Sequence, residues 1–199
     1  PLATFTPREI GTILTLSPLS PPPANPTNAV ADDPAAAKLG RFLFFDQRLS
    51  RSGTVSCASC HIPSKQFADG EAVPEKFSRA LRHTPALWNV AYNRWYFWDG
   101  RADSLWSQAV TPLENPNEHG TDRVKIAALI RQDPALLRAY RGVFGPMPDA
   151  VPTGDGALAG DRRGPADLVI ANVGKALAAY ERKIVSRRSP FDVFVEGLR

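Results

Sequence analysis

A chain of 199 residues, 43% of them hydrophobic, is long enough to bury one real core and suits a single domain, or one domain with extensions. Its formal net charge of +4 is mild and its arginines are scattered rather than blocked, which leaves nucleic-acid binding without support. No apolar run approaches the roughly 18 residues of a membrane span, so no membrane span is expected. The N-terminus also lacks the basic start and apolar centre of a signal peptide, and the chain reads as a mature or trimmed product.

Residues 1–36 read as an N-terminal arm or strap. From about residue 15 it holds Pro18, Pro21, Pro22, Pro23, Pro26 and Pro34, which forbid a regular helix and favour an extended path over a surface. A domain over 37–185 follows. Leu39, Phe42, Leu43 and Phe45 keep helical spacing in Ala35 to Phe45. A second helix is predicted from Asp103 to Val110 with Asp103 or Ser104 as its N-cap, and a third from Asp122 to Gln132 capped by Thr121. Pro134 starts the next, in which Leu136, Leu137 and Tyr140 share a face, and Gly145-Pro146 stops it. Residues 145–165, with four prolines among several glycines, are expected to form a long loop. The strongest helical pattern runs from Ala166 to Val185, through Val169, Val173, Ala176, Leu177, Tyr180 and Ile184. Residues 186–199 have too few partners of their own for a domain and read as a lead-out.

The only two cysteines of the chain stand in Cys57-Ala58-Ser59-Cys60-His61. Two thiols three residues apart followed at once by a histidine form the attachment site for c-type haem. Each thiol adds across one vinyl group of the porphyrin, and the short tether brings the imidazole of His61 under the iron as its axial ligand. Three plainer chemistries share the cysteine pair: a thioredoxin-like dithiol, half of a zinc site, and a structural disulfide. A zinc site takes four ligands, and only His83 and His119 stand beyond the motif, with no second cysteine pair. A dithiol needs neither the adjoining histidine nor the aromatic segment downstream. One covalent haem c is therefore expected. Since haem is joined to cysteines outside the bacterial cytoplasm, the expected location is the periplasm.

The segment downstream is chemically dense. Trp88, Trp95 and Trp98 lie close together, followed by Asp99-Gly100-Arg101 and then by Pro112-Leu113-Glu114-Asn115-Pro116-Asn117-Glu118-His119. Most of these aromatic residues are expected to pack against the porphyrin, and one or two of the indoles to carry electrons. Asp99 and Arg101 read as a turn-stabilising pair.

Several of these motifs together resemble the N-terminal half of the bacterial di-haem cytochrome c peroxidase family, which includes the di-haem enzyme of methylamine utilisation. The resemblance rests on Leu43-Phe44-Phe45-Asp46 with Arg48-Leu49-Ser50, Ser56 through His61, Thr84-Pro85, Phe97 through Ala102, Asn115-Pro116 with Glu118, Lys175 through Leu177, Tyr180-Glu181-Arg182 and Ser189 through Asp192. It implies an all-α, cytochrome c-like haem domain with long loops, in which this haem is the peroxidatic one. It further implies that Glu118 is the distal carboxylate that moves a proton between the oxygens of bound peroxide. Gln108 and Pro112 match residues of the same distal pocket, and Trp98 matches an indole that lies between two haems and relays electrons.

Four departures accompany these matches. The stretch from Ile62 to Arg82 lacks the histidine that many members place as a sixth ligand, which implies an open distal side. His83 stands where the family often has an asparagine that helps bind calcium, so the calcium site is in question. His119 replaces a common methionine. No second Cys-x-x-Cys-His motif follows, so a second haem-bearing domain or chain is the expected partner. The function implied is reduction of hydrogen peroxide to water with electrons from that haem or from a small cytochrome or copper protein. Two alternatives stand beside it: peroxide-driven oxidation of a tryptophan or tyrosine on a protein substrate, and a plain electron-transfer cytochrome with Met147 as sixth ligand.

Overall fold

The computed structural model describes residues 4–73, 82–148 and 164–198. Within them the chain is all-α: seven helices and four single-turn 3₁₀ segments, with no strand and only two isolated bridges.

The helix α6 (Pro165–Glu181) is the centre of the molecule, because its apolar residues recur on more than one face. Val169, Val173, Ala176, Leu177, Ala178 and Ala179 are all buried, so helices can pack on it from several sides. Across it lie α2 (Pro34–Phe45) and α3 (Leu105–Glu114). The two crossings are made through glycine. A Cβ on Gly40 of α2 would lie 1.8 Å from the Ala176 carbonyl oxygen, and one on Gly174 of α6 would lie 2.6 Å from the Trp106 carbonyl oxygen. Backbone meets backbone at both points, leaving no flexible side chain to yield. Gly40→Ala is therefore expected to lower the thermal midpoint by about 3–10 °C through overpacking; an unchanged melting curve would show that α2 and α6 do not meet this closely.

Asp33 caps α2, its carboxylate accepting from the Ala35 N–H at 2.7 Å. Pro34 at the first helical position suits the start, as its missing N–H would be unpaired there anyway. Helices α4 (Arg123–Gln132) and α5 (Pro134–Phe144) form a hairpin around Asp133, whose carboxylate accepts from the Ala135 and Leu136 N–H groups at 2.9 and 3.1 Å. The cap of α4 is Asp122 rather than Thr121: its carboxylate accepts from the Lys125 N–H at 2.9 Å. Helix α6 begins one residue earlier than the apolar pattern suggests and ends at Glu181, four short of Val185. Helix α3 runs past its expected end to Glu114 and carries Pro112 inside it. Most of the 145–165 segment, 149–163, lies outside the described residues.

The arm contains a helix that its prolines conceal, α1 (Pro7–Thr15), closed by a reciprocal capping box between Thr6 and Glu9. Beyond it the extended stretch is tied to the domain at several points. Tyr92 donates to the Ser20 carbonyl, Trp106 donates to the Thr27 hydroxyl at 2.9 Å, and Asn28 donates to the Lys175 carbonyl at 3.0 Å. The buried Arg182 guanidinium donates to the Asp32 carboxylate at 2.9 Å and to the Pro23 carbonyl at 2.9 Å. At the other end α7 (Pro190–Glu196) is capped by Ser189 and pins Ser17 to Asp192.

Candidate functional site

The Cys57–Ser59 turn is a single 3₁₀ turn that follows Ser56. The Ser56 N–H donates to the Ser59 hydroxyl at 3.0 Å, and the His61 N–H donates to the Cys57 carbonyl at 2.9 Å. This winding puts Cys57 and Cys60 on one side, three residues apart, and carries His61 one further step round. No disulfide joins the cysteines.

Of the chemistries open to this motif, thiolate chemistry fits worst. Burial, and next the carboxylate of Glu181, push the Cys57 thiol well up, the reverse of what a redox nucleophile requires. Among the described residues no cluster of three or more Cys, His or carboxylate groups could hold a metal ion. Thioether attachment needs none of this, only two thiols held side by side.

His61 has the setting of an axial ligand. Its Nδ1 lies 3.0 Å from the Phe67 carbonyl oxygen, a contact that fixes the tautomer and leaves Nε2 for iron. Burial lowers its pKa, opposed by the carbonyls of Phe67 and Pro85, so the imidazole is neutral and able to coordinate at pH 7. Phe44 lies 6.4 Å from the His61 ring, Phe67 lies 6.3 Å from Phe44, and Tyr180 lies 5.2 Å from Phe44. The residues thus fit a covalent porphyrin: two adjacent thiols, a neutral and oriented imidazole, and aromatic faces around them.

Glu118 sits in a rigid turn. The Asn115 side chain accepts from the Asn117 N–H at 3.0 Å and donates to the Glu118 carboxylate at 2.6 Å, while the Glu118 N–H donates to the Asn115 carbonyl at 3.0 Å. Glu118 is exposed, yet desolvation raises its pKa, and the Asn115 bond and the Arg101 charge oppose the rise only in part. Its charge also raises the Cys57 thiol, which puts it within electrostatic reach of the attachment site. Gln108 and Pro112 lie one turn apart on α3, both half-buried. Because proline has no N–H, the Gln108 carbonyl loses its usual helical donor at that turn.

His119 is buried, its Nδ1 3.1 Å from the Leu49 carbonyl oxygen. His83 is exposed, with Nδ1 3.3 Å from the Thr84 carbonyl oxygen. Met147 is 3% exposed within the main apolar core.

The indoles do not all turn inward. Trp98 is 81% exposed and Trp95 57%, and both stand beside a tight hairpin closed by the Tyr96 and Ala102 backbone pair. Phe97 and Gly100 hold positive φ there. Arg101 pairs with Asp99 at 2.8 Å and lies over the Phe97 ring, so the turn-stabilising pair exists. The Arg82 guanidinium lies 4.9 Å from the centroid of the Trp98 ring. The Phe67 carbonyl that orients His61 was invisible to sequence reasoning, since every residue carries one. Glu181 belongs to the Tyr180-Glu181-Arg182 motif of the resemblance, but its burial, within electrostatic reach of Cys57, is not legible from that motif.

The family model described as di-haem cytochrome c peroxidase matches residues 34–199. The methylamine utilization protein MauG of Methylophilus methylotrophus is 36% identical over 164 residues, covering 81% of this chain and 43% of that protein. Cytochrome c551 peroxidase of Nitrosomonas europaea is 31% identical over 178 residues, covering 88% and 48%. Among solved structures, the diheme peroxidase BthA from Burkholderia thailandensis matches at a TM-score of 0.59 and 32% identity, over 80% of this chain and 41% of that one. A MauG-like protein associated with microbial copper homeostasis has the same fold, with a TM-score of 0.69 over 90% of this chain. The chain spans less than half the length of these relatives. Its all-α, cytochrome c-like fold and the match over residues 34–199 make it a member of the di-haem cytochrome c peroxidase family.

Proposed function

We propose that this chain forms the peroxidatic haem domain of an oxidoreductase that reduces hydrogen peroxide: H₂O₂, two electrons and two protons give two molecules of water. The observation that carries this reading is the Glu118 carboxyl, clamped by Asn115, raised in pKa and within electrostatic reach of Cys57. Cys57 and Cys60 would hold the haem and His61 its iron, and the bound haem would supply the electrons that break the O–O bond. Glu118 takes the proton from the near oxygen of peroxide and gives it to the far one, so that the departing group leaves as water. Gln108 orients the peroxide and Pro112 shapes the pocket wall. No calcium enters this account. Mixing the ferric haem protein with peroxide tests it: rapid loss of the resting spectrum is expected, and an unreactive haem would contradict it.

Electrons arrive through Trp98 from a second haem, on another domain or chain, or from a small cytochrome or copper protein in the periplasm. The exposure of Trp98 supports that route, as an indole at the surface can meet a partner's haem. Trp98→Phe is expected to leave the reaction with peroxide unchanged while cutting donor-driven turnover at least tenfold; equal losses in both would make Trp98 structural. The same outward indole favours a second reading, oxidation of a tryptophan or tyrosine on a partner protein. Unchanged partner masses after peroxide treatment would remove that reading. Among the described residues no helix is long and apolar enough to cross a membrane.

A further inference from the structure

Glu181 is a buried acid for which peroxide chemistry has no use. It closes α6, is 5% exposed, and its Oε2 has no hydrogen-bond partner among the described residues. Two physical effects oppose a negative charge there. The carboxyl is desolvated, and it stands at the C-terminal, electronegative end of a 17-residue helix.

Among the described residues no cation offsets these effects. The adjoining Arg182 is committed to Asp32 and the Pro23 carbonyl on the arm. Arg41 of α2 is engaged with the Tyr180 phenol. The other titratable groups facing Glu181 are Tyr96, Tyr180 and the Cys57 thiol, each raised by its charge. Attachment of haem converts that thiol to a thioether, which no longer titrates. What remains is a carboxyl surrounded by phenols and apolar atoms, within electrostatic reach of the sulfur that anchors the porphyrin. As a stabilising element it is poor, since an apolar residue of similar size would avoid the desolvation.

We propose that Glu181 is the redox-linked proton acceptor of this haem: when the ferric iron takes one electron from its donor, the Glu181 carboxylate takes one proton from solvent, and the net charge of the buried site is unchanged. This rests on the haem reading above and adds to it a positioning role that acts through charge rather than through contact with peroxide. Burial pushes the carboxyl up to about 8, so it is ionised in the ferric state, and able to take up the proton, on the alkaline side of that value. At an effective permittivity of about 20, removing one positive charge from iron at a separation of roughly 8–12 Å would raise its proton affinity roughly 10- to 30-fold.

The test is a spectroelectrochemical titration of the haem-bearing chain from pH 6 to pH 10. Between the acid constants of the oxidised and reduced forms the midpoint potential is expected to fall by up to 59 mV per pH unit. The 10- to 30-fold change in affinity makes the total fall about 60–90 mV. Glu181→Gln is expected to be flat over the same range, at the acid-limit potential of the wild type. A flat wild-type profile overturns the proposal, and so does a slope that persists in Glu181→Gln. Pyridine haemochrome content, measured on the same samples, keeps failure of the haem reading distinct from failure of this one. Should the glutamine variant not mature, the reduced-minus-oxidised infrared spectrum at alkaline pH decides. A protonated-carboxyl band gained on reduction and retained in Glu118→Gln supports the proposal, and no such band overturns it.

Discussion

Glu118→Gln is expected to slow the reaction of the ferric haem with peroxide by about 10²–10⁴-fold, the usual contribution of a placed general acid–base. The substitution preserves shape and the contact with Asn115, whose amide donates to the carboxyl at 2.6 Å, but it removes the site that receives a proton. Binding of peroxide should therefore change little while bond cleavage slows. The pH profile carries a second signature. Desolvation raises the Glu118 carboxyl above its ordinary 4.5, and only the ionised form can accept the proton from peroxide. Activity should thus be lost as the pH falls through that raised value, with the acid limb above the ordinary position of a glutamate. Stopped-flow rates for wild type and variant over acid to neutral pH check both points; undiminished rates in the variant would remove Glu118 from the mechanism.

His61→Gly is expected to reduce turnover by roughly 100-fold or more, a loss at least as large as the 10- to 100-fold typical of outer-shell changes at metal sites. The two thioethers would keep the haem attached; what is lost is the oriented imidazole nitrogen that would hold its iron. In the wild type the Phe67 carbonyl at 3.0 Å from Nδ1 sets that orientation, and burial keeps the ring neutral. A glycine leaves a gap that free imidazole can enter, and added imidazole should restore part of both the spectrum and the activity. A variant with an unaltered ferric spectrum would show that the iron takes its ligand elsewhere.

Much of this fold is legible in the sequence because two periodicities are strong. The apolar repeat through Val169, Val173 and Leu177 marks the central helix, and Leu39 with Leu43 marks the one packed across it. Pro134 marks a helix start, whereas Pro34, read among the arm prolines that forbid a helix, is the first residue of α2. Where local signals compete, the reading slips. Helix α3, expected to end at Val110, runs on to Glu114 with Pro112 inside it. Helix α1 is concealed by the proline-rich stretch beyond it, and Thr121 competes with its neighbour Asp122 for one cap. At the site, the haem-binding pentapeptide and the Asn115–Glu118 loop are visible as residue types. Three things are not: the carbonyl that orients His61, the outward face of Trp98, and the burial of Glu181. Each depends on contacts between segments far apart in the chain, which no spacing encodes.

Intact-mass measurement of the protein matured in cells able to attach haem tests the central claim most directly. The account predicts a single species heavier than the 21.7 kDa polypeptide by one haem, retained through denaturation and acid-acetone extraction and lost in Cys57→Ser/Cys60→Ser. A polypeptide that sheds its chromophore on extraction and returns to its bare mass would contradict it.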